Sequence, residues 1–443
     1  MENGKKGEKM DVCNYRPVSL ICGFSKLFEM LLHDYLLCQI EPLLTLQQHG
    51  FLRGRSTTTN LACFSQFLAE VIDNSCQVDV VFTDFSKAFD KIDHRIILAK
   101  LRAFGLSDDF VSFFQSYLMQ RTQYVTYNGF KSSSFGAPSG VPQGSNLGPL
   151  LFLIFINDIA EVIDIKFQIF ANDLKLYMPI EGLGDCERLQ NALNQVQNWC
   201  AKNRLLLNAS KCSVMTVSKK VSSVTYNYSI DNSLLVRVEN TRDLGVSFDS
   251  KLSFNAHIDK IISEATQMLG FILRNCKSFT NAEALKSLYV ALVRSKLEYN
   301  SLIWSPIYNK YTLALEQVQR KFLKYLAFRM DGLYPQRGTD NAALLHRFNF
   351  DSLQKRREQH AVIFLYKIFN GGIVCPSLLE EIKIVVPRGS GRSRNYLYLP
   401  RANTNVMISS PMYKMCSAFN QVANQCDICM PLGQFVRTVS NLL

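Results

Sequence analysis

A chain of 443 residues exceeds what one ordinary core accommodates, so roughly two to four domains are expected, and 47% hydrophobic residues give them ample surface to bury. Lys and Arg together number 49 against 37 Asp and Glu, a net charge of +12 that fits either a soluble basic protein or one with a polyanionic partner. The exclusions are more definite: Met1 to Asp11 is rich in Gly, Lys and Glu and makes no signal peptide, and the longest apolar runs, such as Leu147 to Ile156, are too short to span a membrane.

The 13 cysteines are scattered and mostly sit among apolar residues, as at Cys22, Cys63 and Cys200, which suits reduced thiols and an intracellular protein of the nucleus or cytoplasm. Cys426 and Cys429 form a lone CxxC without the second pair or His that a zinc site needs. Residues 1–13 read as a disordered leader, and their Lys-rich polarity directly after Met1 suggests a chain that begins partway into a larger pattern. Asn14 to Leu20 (NYRPVSL) then leads into a helix expected over Gly23 to Leu44, with Phe28, Leu31, Leu32, Leu36 and Ile40 at helical spacing and Pro42 near its end.

Gln48 to Asn60 (QHGFLRGRSTTTN) holds two glycines and two arginines ahead of a second helix, Thr58 to Asn74. Such a loop offers a phosphate both guanidinium groups and the backbone N–H groups of a helix start; it reads equally as a loop with solvated arginines. Asp79 to Asp84 (DVVFTD) is β-rich and ends in a carboxylate, Phe85 to Phe89 breaks the strand, and Lys91 onward reads as helix through Phe104. Asp84 is therefore expected at a strand end, fit for a site at a sheet edge, while Asp90 and Asp93 read as solvent-facing or capping residues. Gly140 to Ser145 (GVPQGS) precedes an apolar helix, Gly148 to Ile163. Its glycines would let backbone approach a ligand and Gln143 would bring a donor and an acceptor, although on its own the segment reads as a turn.

Ile169 to Tyr177 (IFANDLKLY) is an apolar run broken by two small polar residues, read as two buried strands joined by a tight turn with Asn172 and Asp173 at its tip. A carboxylate on a rigid hairpin can ligate metal. An amphipathic helix, Gly184 to Lys202, leads to Leu205 to Lys211 (LLLNASK), strands at Val224 to Ile230 and Leu234 to Val238, and Asp243-Leu244-Gly245-Val246. From His257 to Phe328 the pattern is helical and reads as a separate domain. Beyond Met330 the signal weakens to a helix at Ser352 to Phe369 and a basic loop, Pro387 to Arg394, read as a solvated linker with phosphate binding as the alternative.

Taken in order, NYRPVSL, QHGFLRGRSTTTNL, DFSKAFDKIDH, SGVPQGSNLGPLLF, FANDLKLY, LNASK and DLGVSFDSKLSF resemble the successive motifs of reverse transcriptases encoded by non-LTR, LINE-like retrotransposons, with jockey-like elements of arthropods as the nearest likeness. The resemblance covers about Asn14 to Lys324 and continues through RSKLEYNSLIWSP. It implies an RNA-directed DNA polymerase, a nucleotidyltransferase with an α+β right-hand fold: fingers, a palm with an antiparallel sheet, a helical thumb, and a mainly helical C-terminal segment. Fingers and palm would occupy 14–225, a primer-grip hairpin and thumb 226–330, and the C-terminal segment of the open reading frame 331–443.

The implied partners are an RNA template, a DNA primer and dNTPs, with no membrane and an open oligomeric state; the implied cofactor is Mg²⁺, two ions, with Mn²⁺ as a substitute. Asp84 matches the metal-binding carboxylate of the first palm motif, with the Phe85 carbonyl as a further ligand, and Phe89 matches the steric gate against a ribose 2′-hydroxyl. Gln143 and Gly144 match the loop that packs against incoming nucleotide and template. Arg55 matches the finger arginine on the triphosphate, with Arg53 as companion because Leu52 stands where some branches carry arginine. Lys211 matches the lysine that protonates departing pyrophosphate, and Asp243, Leu244 and Gly245 resemble the primer-gripping hairpin.

One position departs from the family. Its hairpin reads Phe/Tyr-Ala-Asp-Asp, whereas Phe170-Ala171-Asn172-Asp173 puts an amide in place of the first carboxylate. Asn keeps a neutral oxygen of similar reach but removes a full charge from between two dications, and each tenfold of rate is about 1.4 kcal/mol of barrier. An impaired or inactive polymerase is expected, with a noncatalytic nucleic-acid-binding remnant as the alternative. A maturase- or telomerase-type enzyme shares the VPQG-like loop and the hairpin, but no such module is recognisable. The family's upstream endonuclease and N-terminal finger extension have no room before Asn14, and no ribonuclease H-like acidic set follows the thumb, which reads as a truncated genomic copy.

Overall fold

The computed structural model describes Tyr15 and residues 18–220, 222–385 and 395–443. The leader at 1–13 and the basic loop at 387–394 lie outside the described residues. α1 (Gly23–Ile40) runs into a single tight turn, Glu41–Leu43, opened by Pro42. α2 (Thr57–Asp73) begins with a capping box, in which Thr59 N donates to Ser56 Oγ and Ser56 N donates to Thr59 Oγ1. β1 (Gln77–Asp84) follows, and Val78, Val80 and Val81 are fully buried, as a central strand covered on both faces requires.

α3 (Ala88–Lys91) and α4 (His94–Ala103) come next, the latter capped by the Asp93 carboxylate, which accepts from Arg95 N at 2.8 Å and Ile96 N at 3.3 Å. α5 (Asp108–Met119), two short hairpins within 122–136 and the buried α6 (Leu147–Ile156) lead to β2 (Lys166–Phe170) and β3 (Asp173–Ile180). After α7 (Leu183–Lys202), β4 (Ser213–Val217) and β5 (Val236–Arg237) complete a five-stranded sheet of order β5-β4-β1-β3-β2, antiparallel at every junction except β4 with β5. The strands expected over 224–230 and 234–238 shrink to two-residue pieces, because only Val236–Arg237 reaches an open sheet edge there. β6 (Asn240–Asp243) and β7 (Val246–Asp249) form a separate hairpin.

Alternation along the strands divides the sheet between two cores. Val81, Leu174 and Leu176 face α6 and α7 with Phe155, Leu193 and Trp199. Val80, Tyr177 and Met215 face Leu61 and Phe64 of α2. That second core is continuous with the long helices α8 (Asn255–Asn275), α9 (Ala282–Tyr289) and α10 (Asn309–Asp331), and with Val362 and Phe419 of the C-terminal segment.

The helices from 255 onward are therefore not the separate domain that their periodicity suggests. An apolar stripe shows that a helix face is buried but not what covers it, and here the cover is α2 and the sheet. The C-terminal segment also holds the far end of α2: the Asp73 carboxylate accepts from Asn403 N at 3.0 Å and from Thr404 N and Oγ1 at 2.8 Å each. Among the described residues no helix is long and apolar enough to cross a membrane.

Candidate active site

β1 and β3 end in directly opposed aspartates, Asp84 against Asp173. Opposed residues of an antiparallel pair point to the same face with Cβ atoms about 4.5–5.5 Å apart, and like charges there destabilise the sheet. Asp84 is half-buried and Asp173 exposed. The next junction explains how they are held: Phe170 pairs with Asp173 across a two-residue loop of Ala171 and Asn172. This corrects the tip expected from sequence. Asp173 is the first residue of β3, its position set by sheet register, and the loop residues are Ala171 and Asn172.

Ala171 has φ 55°, a left-handed conformation unusual for alanine that costs of order 1–3 kcal/mol unless its surroundings enforce it. They do. Gln48 Oε1 accepts from Ala171 N at 3.0 Å and from Gly50 N at 2.7 Å, His49 N donates to Ile169 O at 2.9 Å, and Asn60 Nδ2 donates to Ile169 O at 3.1 Å. A Cβ on Gly50 would lie 2.4 Å from Ala171 N. Gly50→Ala is thus expected to destabilise the fold by about 1–3 kcal/mol, read as a lower urea midpoint at constant m-value; an unchanged midpoint would show that this loop does not hold the turn.

His49 is buried beside it, its Nδ1 2.8 Å from Thr59 Oγ1. Burial, reinforced by Arg55 and Lys175, pushes its pKa down from 6.5 to about 3. A folded pKa below the unfolded one means that His49 contributes fully above pH 6.5 and loses that contribution as pH falls towards 3. At pH 5 the loss is about 2 kcal/mol. The fall in urea-unfolding free energy between pH 7.5 and 5 should be smaller by that amount in His49→Gln, and an equal fall in both chains would refute it.

On the other side of β1, Ser86 N donates to Leu206 O and Asn208 N to Asp84 O, each at 2.8 Å, so the LLLNASK loop pairs with the strand end. Lys211 Nζ stands 3.2 Å from Asp84 Oδ2. Phe85 opposes Leu207 in this bridge while its neighbours make the hydrogen bonds, so its own carbonyl points away from Leu207, to the β3 side. Asp84, Asp173 and Lys211 share a cleft of about 240 Å³ with Asn60, Lys175, Asp243 and Leu244. Asp243 and Leu244 belong to the β6–β7 hairpin, whose turn residues Leu244 and Gly245 have φ 43° and 89°. Two positive φ values are what a tight two-residue hairpin needs, which suits Gly at the second position.

Phe89, Gln143 and Gly144 form a neighbouring group. The Phe89 ring stacks on Phe152 with centroids 4.6 Å apart and meets Phe51 edge-on at 5.9 Å. Gln143 Nε2 donates to Asp90 Oδ1 at 2.7 Å, and Val141 N donates to Phe89 O at 2.9 Å, so the Gly/Pro loop is tied to the segment that follows Asp84. Gly144 is exposed with φ 98°.

Arg53 and Arg55 do not line the cleft, and neither presents a free guanidinium to it. Arg55 Nη1 donates to the carbonyls of Thr45, Leu46 and Gln48 at 3.3, 2.9 and 2.6 Å, and Arg53 Nη2 donates to Asp34 at 2.9 Å. Carbonyls of a half-buried turn need donors, and Arg55 is the nearest; the start of α2 is already capped by Ser56.

Sequence reasoning passed over Gln48, Lys175 and Tyr299. Lys175 left one visible signal, a lysine inside an otherwise apolar strand two residues after Asp173. Hard carboxylate and carbonyl oxygens converging at one end of the sheet fit a divalent cation. Among the described residues no group of three His, Cys, Asp or Glu side chains is arranged to hold one, and the position before Asp173 is an amide.

A family model described as reverse transcriptase (RNA-dependent DNA polymerase) matches residues 4–273. The chain is 26% identical over 362 residues to the probable RNA-directed DNA polymerase from transposon BS of Drosophila melanogaster, covering 78% of this chain and 39% of that protein. It is 30% identical over 262 residues to the RNA-directed DNA polymerase from mobile element jockey of Drosophila melanogaster, covering 57% and 28%. It thus spans well under half the length of these relatives. Among solved structures, apo telomerase from Candida tropicalis is similar at 9% identity and a TM-score of 0.40, over 79% of this chain and 59% of that one.

Proposed function

Because the chain belongs to the reverse transcriptase (RNA-dependent DNA polymerase) family, we propose that it is the polymerase part of a non-LTR retrotransposon protein, built to extend a DNA primer with dNTPs on an RNA template and slowed by Asn172. The observation that supports this best is the opposed pair Asp84 and Asp173, with Lys211 beside it, in a cleft bounded by the Asp243–Leu244 end of a hairpin. The fold is the right-hand polymerase fold of the family, α+β with a helical half. We assign fingers and palm to 14–225, primer-grip hairpin and thumb to 226–330, and a C-terminal segment to 331–443. An intracellular site of action, in nucleus or cytoplasm, is part of the same reading.

The family uses divalent metal ions; two Mg²⁺, replaceable by Mn²⁺, are proposed here. When bound, they would activate the primer 3′-hydroxyl and neutralise the triphosphate. Asp84 and Asp173 would hold them with carboxylate oxygens and Phe85 with its carbonyl. Lys211, 3.2 Å from Asp84, would give a proton to departing pyrophosphate. Phe89, braced by Phe152, would pack where a ribose 2′-hydroxyl would otherwise sit, and Gln143 and Gly144 would border the nucleotide and template. Arg53 and Arg55 could serve the triphosphate only after releasing their present partners. The net charge of +12 favours a nucleic-acid backbone, with affinity falling as salt rises.

One observation favours a second reading. Asn172 removes a charge from the site, so a chain that binds template and primer without chemistry is the alternative. Primer extension on RNA in Mg²⁺ by Asn172→Asp, against the same chain carrying Asp84→Ala, separates them. Incorporation in the first and none in the second supports a polymerase; equal incorporation in both refutes the site, and none in either leaves the binding reading.

A further inference from the structure

Lys175 follows Asp173 by two residues on β3, so strand alternation puts both on one face. Its ammonium is buried, 4% exposed, in an ion pair with Asp243, itself 7% exposed, and lies 4.4 Å from the centre of the Phe64 ring of α2. Neighbouring Leu174, Leu176 and Tyr177 show that this strand gains its packing from apolar side chains. A buried ion pair seldom stabilises more than an apolar pair of the same volume, so stability alone does not account for it. It does provide a directional tie between two elements distant in sequence, the strand that carries Asp173 and the hairpin that opens at Asp243.

The hairpin turn is fixed from its other side as well. Tyr299 Oη donates to Leu244 O at 3.0 Å and lies 3.2 Å from Thr57 Oγ1 at the start of α2. A Cβ on Gly245 would come within 2.8 Å of the Tyr299 ring. Ser247 N donates to His257 Nδ1 at 3.2 Å. With Tyr299 holding the turn, His257 the second strand and Lys175 holding Asp243, the hairpin has one seat relative to the two aspartates.

We propose that Lys175 is a positioning residue: through Asp243 it sets the 243–246 hairpin, and with it the primer 3′ terminus, in register with Asp84 and Asp173. This rests on the polymerase reading above. Lys175 touches no reacting atom; its effect passes through Asp243, so the two side chains should behave as one unit.

The test is RNA-templated primer extension in the Asn172→Asp chain, with Lys175→Met, Asp243→Asn and both together, each checked by thermal melting. Either single change is expected to raise the KM for primer–template about tenfold or more while the KM for dNTP stays within about twofold, and the double variant should be no worse than the poorer single. Folded variants with an unchanged primer–template KM, or losses that multiply in the double, overturn the proposal. Should Met at 175 prevent folding, Lys175→Arg keeps the charge and is expected to stay within about threefold of the parent KM. A folded Arg variant as impaired as Asp243→Asn overturns it equally. If the Asn172→Asp chain itself incorporates nothing, the polymerase reading fails and the inference with it; parental activity with unimpaired variants removes the inference alone.

Discussion

Asn172→Asp is expected to raise RNA-templated DNA synthesis in Mg²⁺ at least about a hundredfold over the unaltered chain, which corresponds to lowering the barrier by about 2.7 kcal/mol or more. In the cleft the carboxylates of Asp84, Asp173 and Asp243 are matched by Lys175, Lys211 and Arg242, so the site as it stands offers no surplus of negative charge to the cations it is proposed to hold. An aspartate at 172 would add a carboxylate at the turn without changing side-chain shape. The backbone tolerates it: Ala171, not Asn172, carries the positive φ, and Asp suits a turn as well as Asn does. The cost falls on the metal-free fold, where a third negative charge joins two that already oppose one another. In EDTA, Asn172→Asp should therefore melt below the unaltered chain, and added Mg²⁺ should raise its Tm more than that of the parent. Single-turnover incorporation and melting in EDTA and Mg²⁺ check both halves. Equal incorporation rates in the two chains would show that Asn172 is not the impairment.

Much of this arrangement was legible in the chain because strand chemistry is local. A β-rich run ending in Asp84, followed at once by a break, places a carboxylate at a strand end, and Asp84 is the last residue of β1. The hairpin was legible too, but not its tip. Which of Asn172 and Asp173 belongs to the loop depends on the pairing of Phe170 with Asp173, a register that composition does not state. Register is also what brings Asp173 opposite Asp84, and the sequence separates them by almost ninety residues.

Other features were hidden because they depend on partners distant in sequence. Arg55 in a Gly/Arg loop suggests an anion, yet the chain curls so that the carbonyls of Thr45, Leu46 and Gln48 take the guanidinium. Gln48 looks like an ordinary loop residue until the Ala171 turn is seen leaning on its amide. Lys175 reads as an interruption of an apolar strand until Asp243 is found beneath it. The helical half reads as independent because periodicity carries no information about which core its stripes join, and they join that of α2 and the sheet.

Asp84→Asn, made in the Asn172→Asp chain, is expected to separate activity from stability. Incorporation should fall at least about a thousandfold, since the change removes a charged ligand from the strand that anchors the site. Stability in EDTA should change by less than about 1 kcal/mol, because two opposing effects nearly cancel. Asn relieves the repulsion between residues 84 and 173, directly opposed across the sheet. It also gives up the 3.2 Å contact with Lys211, whose side chain is more than half exposed and so contributes little through solvent. The hydrogen bond from Asn208 N to the residue 84 carbonyl is backbone and survives the change, so the LNASK loop keeps its place. The rise in Tm on adding Mg²⁺ should shrink in this variant, a readout independent of catalysis. A loss of several kcal/mol in EDTA would mean that Asp84 is a structural residue whose removal disorders the strand end. An unimpaired rate at intact stability would mean that the chemistry lies elsewhere in the chain.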